Sequence, residues 1–523
     1  MANTHERKRV LIVNCFLDET RRLAGRPHFV PQAVGPAYLA GAFNRELVDI
    51  RLYNELSAGP FLNEKLIEWA QMVVLTGMNS AYDRMRHVAA YVRTKSSKTV
   101  TVAGGNAIRA LPFHSKQFFD YSCTGDIEVL KGIVRETFGD KYVSQHEHMS
   151  PQFDLVNWTG HLGYIESSRN CNFKCSFCCL TGEGNSYEIY NLDYVREQLD
   201  NMGKKLGIVF IDNNFYGNNR AYFRAKLELL KEYWKKGAFH GWSALVTNDF
   251  FHHSENLRLA KESGCHSLFT GLESFDSKVL KGFNKLQNVK VPQVEMIRSC
   301  LDAGIIFNYG VIFDVSERPL EEIRNEIRFI VNTPEITLPV FMNLTVPMLR
   351  TPYFYDCLKE RRILPKAKLR DMDGDTLTLK PIDPVEDVVQ FLRDMPTLRG
   401  FKSQVLRHVA GFTKRYHRKL GPLLLGVALG NAGFICFPGL VHNHFGFLKR
   451  KKLRTPPRTF VTTDEPVGPL YEPLLPVAEK YRHYLAPTMV TDEQGNIAEE
   501  IAEDMGLASS SVPIELTRFA AAG

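Results

Sequence analysis

The fold is decided by the stretch Tyr164-Ile165-Glu166-Ser167-Ser168-Arg169-Asn170-Cys171-Asn172-Phe173-Lys174-Cys175-Ser176-Phe177-Cys178. A short strand-like run is followed here by a polar loop that carries three cysteines, Cys171, Cys175 and Cys178. Three thiolates at this spacing can reach one small inorganic cluster, and three cysteine ligands leave one iron of a [4Fe–4S] cluster open to another molecule. The stretch therefore favours an iron–sulfur site.

Two other interpretations of the cysteines stay open on spacing alone. A structural zinc site needs a fourth ligand, either the adjacent Cys179 or a distant His or Cys. Neighbouring Cys178 and Cys179 cannot easily bind one tetrahedral ion together, and no second CxxC follows. Buried structural thiols are the third interpretation. Ten cysteines among 523 residues are too sparse for a disulfide scaffold, so their spacing carries the information.

Downstream of the loop, strand-like runs alternate with amphipathic helical patterns. The predicted strands are 164–166, 207–212, 241–246, 267–271, 307–313 and 340–345, and the predicted helices are 192–202, 221–236, 256–263, 291–303 and 320–333. Six strands with five intervening helices predict a partial or complete α/β barrel. In such barrels the chemistry lies at the carboxyl ends of the strands, which is where the cysteines follow the first strand.

Upstream, a second α/β series precedes the barrel. Strands are predicted at 10–13, 50–53, 73–76, 100–103 and 119–123, and helices at 36–45, 81–93 and 128–138. This alternation predicts a Rossmann-like parallel sheet that binds ligands at its carboxyl edge. Gly104-Gly105 at that edge would let a backbone approach a bulky ligand, or would simply form a tight turn.

The whole chain is thus expected to be an α/β protein in three parts: 1–145, 146–350 and a mixed, mainly helical region 351–523. With 44% hydrophobic and 24% charged residues, the composition excludes wholesale disorder and fibrous repeats. The first residues carry charge but no apolar run, so we expect no secretory signal and a reducing, cytoplasmic setting.

The net charge of +7 conceals a strongly uneven distribution. Residues 399–458 contain 13 Lys or Arg and no Asp or Glu, whereas the residues from 459 onward contain 3 basic and 11 acidic side chains. The basic segment could be a solvated face, a nucleic-acid contact or a contact with an anionic membrane surface or lipid substrate. Nucleic acid is disfavoured because aromatic residues are not interleaved with the charges. The glycines and prolines within 420–440 favour a peripheral contact over a membrane span.

The CxxxCxxC run, with an aromatic residue before the last cysteine, resembles the radical S-adenosylmethionine (SAM) enzymes. Further similar segments are 210–215, 270–274 and 308–313. The resemblance implies that Cys171, Cys175 and Cys178 bind a [4Fe–4S] cluster, with SAM on its open iron and a flavodoxin- or ferredoxin-type electron donor. It also implies a set of SAM contacts: Phe177, Asp212, Asn213, Asn214, Glu273, Ser274 and Gly310.

A Rossmann-like domain before such a barrel resembles the cobalamin-binding subgroup of this family. The resemblance covers 73–80, 102–112 and 119–126, and it implies these cobalamin contacts: Cys15, Phe16, Thr76, Gly77, Ser80, Gly104, Gly105, Asn106 and Gly125. Two departures are visible. Asp126 stands where members often have Glu, and the DxHxxG motif that supplies an axial histidine is missing. The lower ligand of the cobalt is therefore unidentified.

This resemblance implies methylation of an unactivated carbon in a hydrophobic, lipid-like or natural-product substrate, such as a hopanoid-type terpenoid. Alternatives are a non-methylating C–H activation, cyclisation or rearrangement, with or without cobalamin, and a metal-stabilised scaffold that binds lipid or nucleic acid. Methylthiotransferases are disfavoured, since they need three N-terminal cysteines and residues 1–163 contain only Cys15 and Cys123.

Overall fold

The computed structural model describes residues 7–16, 34–156, 162–374, 376–395, 398–436, 461–464 and 473–507. Within these ranges lie two parallel sheets, each with its own helices, followed by a largely helical C-terminal region. The α/β class expected from the sequence is confirmed.

The N-terminal sheet has five parallel strands in the order β2-β1-β3-β4-β5. Its strands are β1 (Lys8–Asn14), β2 (Val48–Asn54), β3 (Met72–Thr76), β4 (Val100–Gly104) and β5 (Tyr121–Cys123). Leu11 and Val13 pack into one hydrophobic core and Val10 and Ile12 into another, so helices cover both faces. From β1 the chain first adds β2 on one side and then β3 on the other, so the strand order switches between β1 and β3. In parallel sheets, ligands bind at the carboxyl ends of the strands at such a switch point.

The connecting segments of this sheet are short helices: α1 (Gly35–Ala40), α2 (Glu55–Ala58), α3 (Glu64–Trp69), α4 (Tyr82–Lys95), α5 (Asn106–Ala110), α6 (Pro112–Lys116) and α7 (Val129–Phe138). The helix predicted at 36–45 ends earlier than expected, at Ala40, because Phe43 forms a bridge with Val143. The remaining elements agree with the predicted alternation.

The second sheet has six parallel strands in the order β13-β12-β11-β10-β9-β6. They are β6 (Leu162–Ile165), β9 (Gly207–Phe210), β10 (Gly241–Leu245), β11 (Cys265–Glu273), β12 (Ile306–Phe313) and β13 (Phe341–Leu344). Two further strands, β7 (Ser168–Arg169) and β8 (Glu188–Ile189), form a small antiparallel pair beside the cysteine loop. The helices are α8 (Cys179–Glu183), α9 (Leu192–Met202), α10 (Arg220–Lys235), α11 (Ser254–Glu262), α12 (Ser277–Gly282), α13 (Gln293–Asp302) and α14 (Leu320–Asn332). This sheet is the predicted partial barrel.

The two faces of the barrel sheet differ in character. One face packs under the helices through large buried side chains such as Phe210, Trp242 and Tyr309. The opposite, inner face is lined by partly exposed side chains, and its cross-strand neighbours include Gly271 beside Gly310 and Gly310 beside Phe341. The inner face is therefore the surface on which a bound molecule can rest.

The C-terminal region contains α15 (Pro352–Lys359), α16 (Val385–Asp394), α17 (Lys402–Cys436) and α18 (Glu499–Ala502), with a 3₁₀ helix at Glu479–Leu485. The mainly helical prediction is confirmed for these residues. Of the basic segment, 437–458 lies outside the described residues. In the part of the chain that is described, no helix has the length and apolar character of a membrane span.

Candidate active site

The three predicted ligand cysteines lie in the loop between β7 and α8. Cys175 is buried, Cys171 and Cys178 are half-buried, and the backbone N–H of Cys178 donates to the carbonyl of Cys175 (3.2 Å). The loop starts with Asn170 at φ 61°, a left-handed conformation that asparagine tolerates better than most residues. The side-chain amide of Asn170 donates to Ser186 O (2.9 Å), which fixes the start of the loop.

The electrostatics of these thiols suit a cationic occupant. The pKa of Cys171 is raised to about 11, chiefly by burial and also by the negative charges of the Cys178 and Cys175 thiolates, while a hydrogen bond from the Phe173 N–H opposes the rise. The pKa of Cys178 is lowered, first by a hydrogen bond from the Cys179 thiol and then by the N–H groups at the start of α8. Within the described ranges, no three His, Cys, Asp or Glu side chains converge on a single-ion position. An iron–sulfur cluster is larger than one ion and is held by thiolates at separate corners, which fits this donor set.

The carboxylate of Asp212, a predicted SAM contact, accepts hydrogen bonds from other groups of the protein. Strand β9 ends at Phe210, two residues earlier than predicted, and the Asp212 carboxylate accepts hydrogen bonds from Ser167 N (3.0 Å), Ser167 Oγ (2.6 Å) and Ser168 Oγ (2.6 Å). The side chain is almost fully buried. Asp212 therefore fixes the strand that leads into the cysteine loop.

Lys226 completes this network from helix α10. Its Nζ donates to Ser167 Oγ (2.8 Å) and Phe215 O (2.7 Å) and lies 3.5 Å from the centre of the Phe215 ring. Burial lowers the pKa of Lys226 to about 7, although the charge of Asp212 opposes the shift. Sequence reasoning missed this lysine, because nothing in an amphipathic helix marks one charged residue as buried.

The depressed pKa of Lys226 predicts a pH-dependent stability. Since the unfolded lysine titrates near 10.4, the unfolded chain binds more protons than the folded chain between pH 7 and 10, and stability rises with pH across that window. Lys226→Met should remove a slope of up to about 1.4 kcal/mol per pH unit. Denaturant unfolding at pH 7, 8 and 9 measures this slope. Lys235→Met, an exposed change in the same helix, is the control, and equal slopes in both variants would contradict the assignment.

Asn214 links the second barrel strand to the cysteine loop. Its Nδ2 donates to Asn172 Oδ1 (2.7 Å), and among the described residues its buried Oδ1 has no hydrogen-bond partner. An unpartnered buried acceptor is costly and is the atom to which an ammonium group can donate. The neighbouring Asn213 is half-buried. Asn214 thus fits the predicted SAM contact better than Asp212 does.

Glu273 lies at a bulge between β11 and β12, with φ 66°. Its carboxylate pairs with Lys285, whose Nζ lies 5.7 Å from the centre of the Phe177 ring. Burial lowers the pKa of Lys285, but Glu273 and the Cys175 thiolate outweigh this, so the pKa is raised. A β-carbon at Gly271 would overlap the Glu273 carboxylate, so the ion pair requires glycine there.

The other predicted SAM contacts differ in their surroundings. Ser274 is fully buried and its Oγ donates to Glu326 (2.6 Å), which pairs with Arg318 (2.8 Å). A β-carbon on Gly310 would meet Phe341 and Phe269 at ordinary van der Waals distances. Ser274 therefore belongs to the framework, whereas Gly310 keeps the inner face open.

The carboxyl edge of the N-terminal sheet has a floor that only glycine can form. A β-carbon on Gly77 would lie 2.7 Å from Cys15 O, and one on Gly105, at φ 118°, would lie 2.6 Å from Gly77 O. At Gly104 the nearest atom would be 3.5 Å away, on Cys123. This close backbone approach at the sheet's crossover point fits a broad, flat ligand.

The remaining predicted cobalamin contacts divide into two groups. The Cys15 side chain is buried in the core, and burial raises its pKa well above the usual value. The Phe16 N–H donates to Glu55 (3.2 Å), a residue paired with the buried Arg84. Those at the edge itself are the half-buried Thr76, Ser80, Asn106 and Gly125.

The two predicted cofactor regions face each other across a polar contact that sequence reasoning missed. Asn106 Nδ2 donates to Cys179 Sγ (3.4 Å), beside the predicted ligand Cys178. Arg109 donates to Gly125 O (3.0 Å), pairs with Asp126 (2.8 Å) and also with Glu183 of α8. The motif Gly104-Gly105-Asn106 could have drawn attention to Arg109, three residues later, but only the fold reveals its partners.

Known proteins are similar to this chain first of all in the barrel that carries the cysteine loop. Residues 165–327 match the family described as the Radical SAM superfamily. Over 316 residues the chain is 24% identical to hopanoid C-2 methylase of Rhodopseudomonas palustris, covering 57% of this chain and 59% of the relative. Over 201 residues it is 31% identical to bacteriochlorophyllide d C-12(1)-methyltransferase of Chlorobaculum tepidum, covering 38% and 42%. The chain therefore aligns with about half the length of these curated relatives.

Solved structures with a similar fold extend beyond the matched domain. The cobalamin-dependent radical enzyme OxsB, with aqua-cobalamin and S-adenosylmethionine bound, gives a TM-score of 0.56 at 14% identity, covering 82% of this chain and 76% of OxsB. The radical SAM methyltransferase TsrM from Kitasatospora setae, with cobalamin and a [4Fe–4S] cluster, gives 0.51 at 14% identity, covering 69% and 76%. The chain carries a radical SAM superfamily domain and shares the fold of cobalamin-dependent radical SAM enzymes.

Proposed function

We propose that this protein is a cobalamin-dependent radical SAM enzyme that methylates an unactivated carbon of a hydrophobic substrate. The observation that carries the proposal is the contact of Asn106 and Arg109, at the glycine floor of the N-terminal sheet, with Cys179 and Glu183 directly after the cysteine loop. Two regions suited to two cofactors thus meet at one place, as transfer of a group between them requires.

The residues available for each cofactor follow from their surroundings. Cys171, Cys175 and Cys178 would hold the [4Fe–4S] cluster, and the free Oδ1 of Asn214 would accept from the amino group of SAM. Gly77, Gly104 and Gly105 would lie under the corrinoid ring. When bound, these cofactors would supply a hydrogen-abstracting radical and a transferable methyl group, while the protein orients them.

Side chains around the cysteine loop would hold it in place. Gln287 Nε2 donates to Cys175 Sγ (3.5 Å), and Lys285, held by Glu273, provides a buried positive charge near the Cys175 and Cys178 thiolates. Such hydrogen bonds and charges tune iron–sulfur sites. Phe177 packs edge-on against Phe283 at 5.0 Å, which limits access of water.

The inner face of the barrel supports a hydrophobic substrate. Phe269 and Phe341 form an edge-to-face pair at 5.9 Å, and the Phe341 side chain is 56% exposed. Among the other inner strand positions, Glu273 is charged and is paired with Lys285. The remaining positions are uncharged: Tyr164, Val209, Ser243, Leu245, Ser267, Gly271, Asn308, Gly310, Ile312 and Asn343. A lining that combines aromatic and aliphatic side chains with uncharged polar ones suits a polycyclic lipid or tetrapyrrole, the substrate types named for the two curated relatives.

Anaerobic reconstitution tests the proposal. About four iron and four sulfide per chain, reductant-dependent cleavage of SAM to 5′-deoxyadenosine, and retention of added hydroxocobalamin are expected. Cleavage without corrinoid binding would favour a non-methylating radical reaction. Stoichiometric zinc without cleavage would contradict the enzyme and favour a metal-stabilised scaffold.

We propose in addition that helix α17 rests on an anionic membrane surface. Val405, Phe412 and Tyr416 are buried on one side, while Lys414, Arg415 and Arg418 are exposed. The helix changes direction at Gly421 (φ 70°, ψ 172°), and beyond it Leu423 and Val427 are 67% and 54% exposed. Cationic side chains next to exposed apolar ones suit an interfacial contact.

This contact predicts a lipid-dependent flotation result. The protein should float with liposomes rich in phosphatidylglycerol and not with neutral ones, because the basic side chains need anionic headgroups. Leu423→Glu/Val427→Glu should reduce the floating fraction severalfold, since it places charge at the interface. Leu62→Glu/Leu206→Glu, on exposed leucines elsewhere, is the control. Flotation that is independent of lipid charge would refute the membrane contact.

A further inference from the structure

The cysteine loop is covered on its outer side by a second segment, 277–290, which contains α12 and the 3₁₀ turn Leu286–Asn288. Ser176 N donates to Phe283 O (3.0 Å), and Asn284 Nδ2 donates to Lys174 O (2.8 Å). The Gln287 side chain reaches Cys175 Sγ (3.5 Å). The outward side of this segment is therefore a protein surface immediately over the predicted [4Fe–4S] site.

That surface is positively charged. We define the cluster-side patch as Lys174, Lys278, Lys281, Leu286 and Lys290, all of which are exposed. In the described part of the chain none of these four lysines forms an ion pair. Asp276 is the one acidic residue within 276–290, and its carboxylate caps α12 by accepting from Lys278 N (2.8 Å). Leu286 is 51% exposed among these charges.

We propose that the cluster-side patch docks a small acidic electron-transfer protein. The inference rests on the proposed function, which requires that an electron reach the cluster. One electron would pass from the reduced prosthetic group of the donor to the oxidised cluster, so the donor is oxidised by one electron and the cluster reduced by one. An exposed apolar side chain on a segment that also carries exposed lysines is suited to a transient interface with a partner of opposite charge.

Location separates this patch from the other basic surface of the molecule. Electron transfer slows steeply with distance, so a donor must dock near the cysteines. Helix α17 packs against α13 and α14, and its Tyr416 hydroxyl donates to Glu335 O (2.8 Å), on the outer side of the barrel. The cluster-side patch instead includes Lys174, the chain neighbour of Cys175, and Leu286, the chain neighbour of Gln287, whose side chain reaches Cys175 Sγ (3.5 Å).

The test uses the reconstituted full chain with purified flavodoxin as the acidic probe. Lys278→Glu/Lys281→Glu/Lys290→Glu should weaken flavodoxin binding about tenfold or more and slow flavodoxin-driven cluster reduction to a similar extent. Reduction by dithionite, a small chemical reductant, should be unchanged. Binding to the wild-type protein should weaken steeply with added NaCl. Lys65→Glu/Lys204→Glu/Lys235→Glu, on exposed lysines elsewhere, is the charge-matched control.

The outcomes distinguish the docking proposal from the function on which it rests. Unchanged flavodoxin binding in the patch variant, equal loss in the control variant, or no binding to the wild type would overturn the docking proposal. Failure of dithionite-reduced wild type to cleave SAM would overturn the proposed function, while the binding comparison would still decide the docking. The variant Lys278→Gln/Lys281→Gln/Lys290→Gln should show a smaller loss, because it removes charge without reversing it.

Discussion

Cys175→Ala should abolish cleavage of SAM to 5′-deoxyadenosine and leave the N-terminal sheet folded. Cys175 is the buried cysteine of the three, and Gln287 donates to its sulfur (3.5 Å). Burial raises the pKa of Cys175, and the charge of Lys285, which is paired with Glu273, opposes that rise. Two remaining thiolates cannot hold a cluster that needs three protein ligands. Iron and sulfide content should therefore fall to background. Far-UV circular dichroism should be unchanged, because replacing a small buried thiol with alanine costs little packing energy.

Cys179→Ala is the matched control for this prediction. Its thiol lies next to Cys178 and receives the Asn106 hydrogen bond, but it belongs to α8 and not to the predicted ligand set. It should retain iron and SAM cleavage. Equal loss of iron in both variants, or full activity in Cys175→Ala, would refute the ligand assignment.

Gly105→Ala should strongly reduce corrinoid retention. The backbone at Gly105 (φ 118°, ψ 178°) occupies a region essentially restricted to glycine, and a β-carbon there would strike the Gly77 carbonyl. A strain of about 1–3 kcal/mol, or displacement of the floor, would weaken hydroxocobalamin binding by about ten- to a hundredfold. Absorbance of the desalted, reconstituted protein measures the corrinoid that remains.

Gly132→Ala is the control within the same domain. Gly132 lies in α7 with no atom near its hypothetical β-carbon, so alanine should leave binding unchanged and raise stability by about 0.5–1 kcal/mol. Corrinoid binding by Gly105→Ala at the level of the control would show that the glycine floor is not the binding surface.

The alternation of strands and helices was readable from the sequence chiefly through those parallel strands that are buried, and therefore apolar, along most of their length. Strands β1, β3 and β12 are examples, with nearly continuous buried runs. The end of β9 was read two residues late. Ile211 N still donates to Ile165 O of β6 (2.9 Å), but the Asp212 side chain accepts from the Ser167 N–H (3.0 Å). Side-chain competition for backbone groups is not visible in an apolar pattern.

The role of a conspicuous polar residue was less predictable than its position. Asp212 and Ser274 lie at the carboxyl ends of barrel strands, as expected. The Asp212 carboxylate, however, accepts a hydrogen bond from Ser167, and the Ser274 hydroxyl donates to Glu326. Asn214, two residues from Asp212, keeps the free acceptor. Burial obliges a polar group to find partners, and those partners come from distant parts of the chain.

The sequence by itself determined the cysteine loop, the glycine-rich edge and the order of the two sheets. These features depend on residues close together in the chain, where spacing alone limits what can be reached. Only the tertiary structure decided that Lys285 pairs with Glu273, that Lys226 holds Ser167, and that Arg109 joins Glu183 across 74 residues. The two ion pairs form because folding buries charges that must then be neutralised, and Lys226 donates to Ser167 because a buried polar group needs a hydrogen-bond partner. In each case the identity of the partner depends on three-dimensional packing rather than on local sequence.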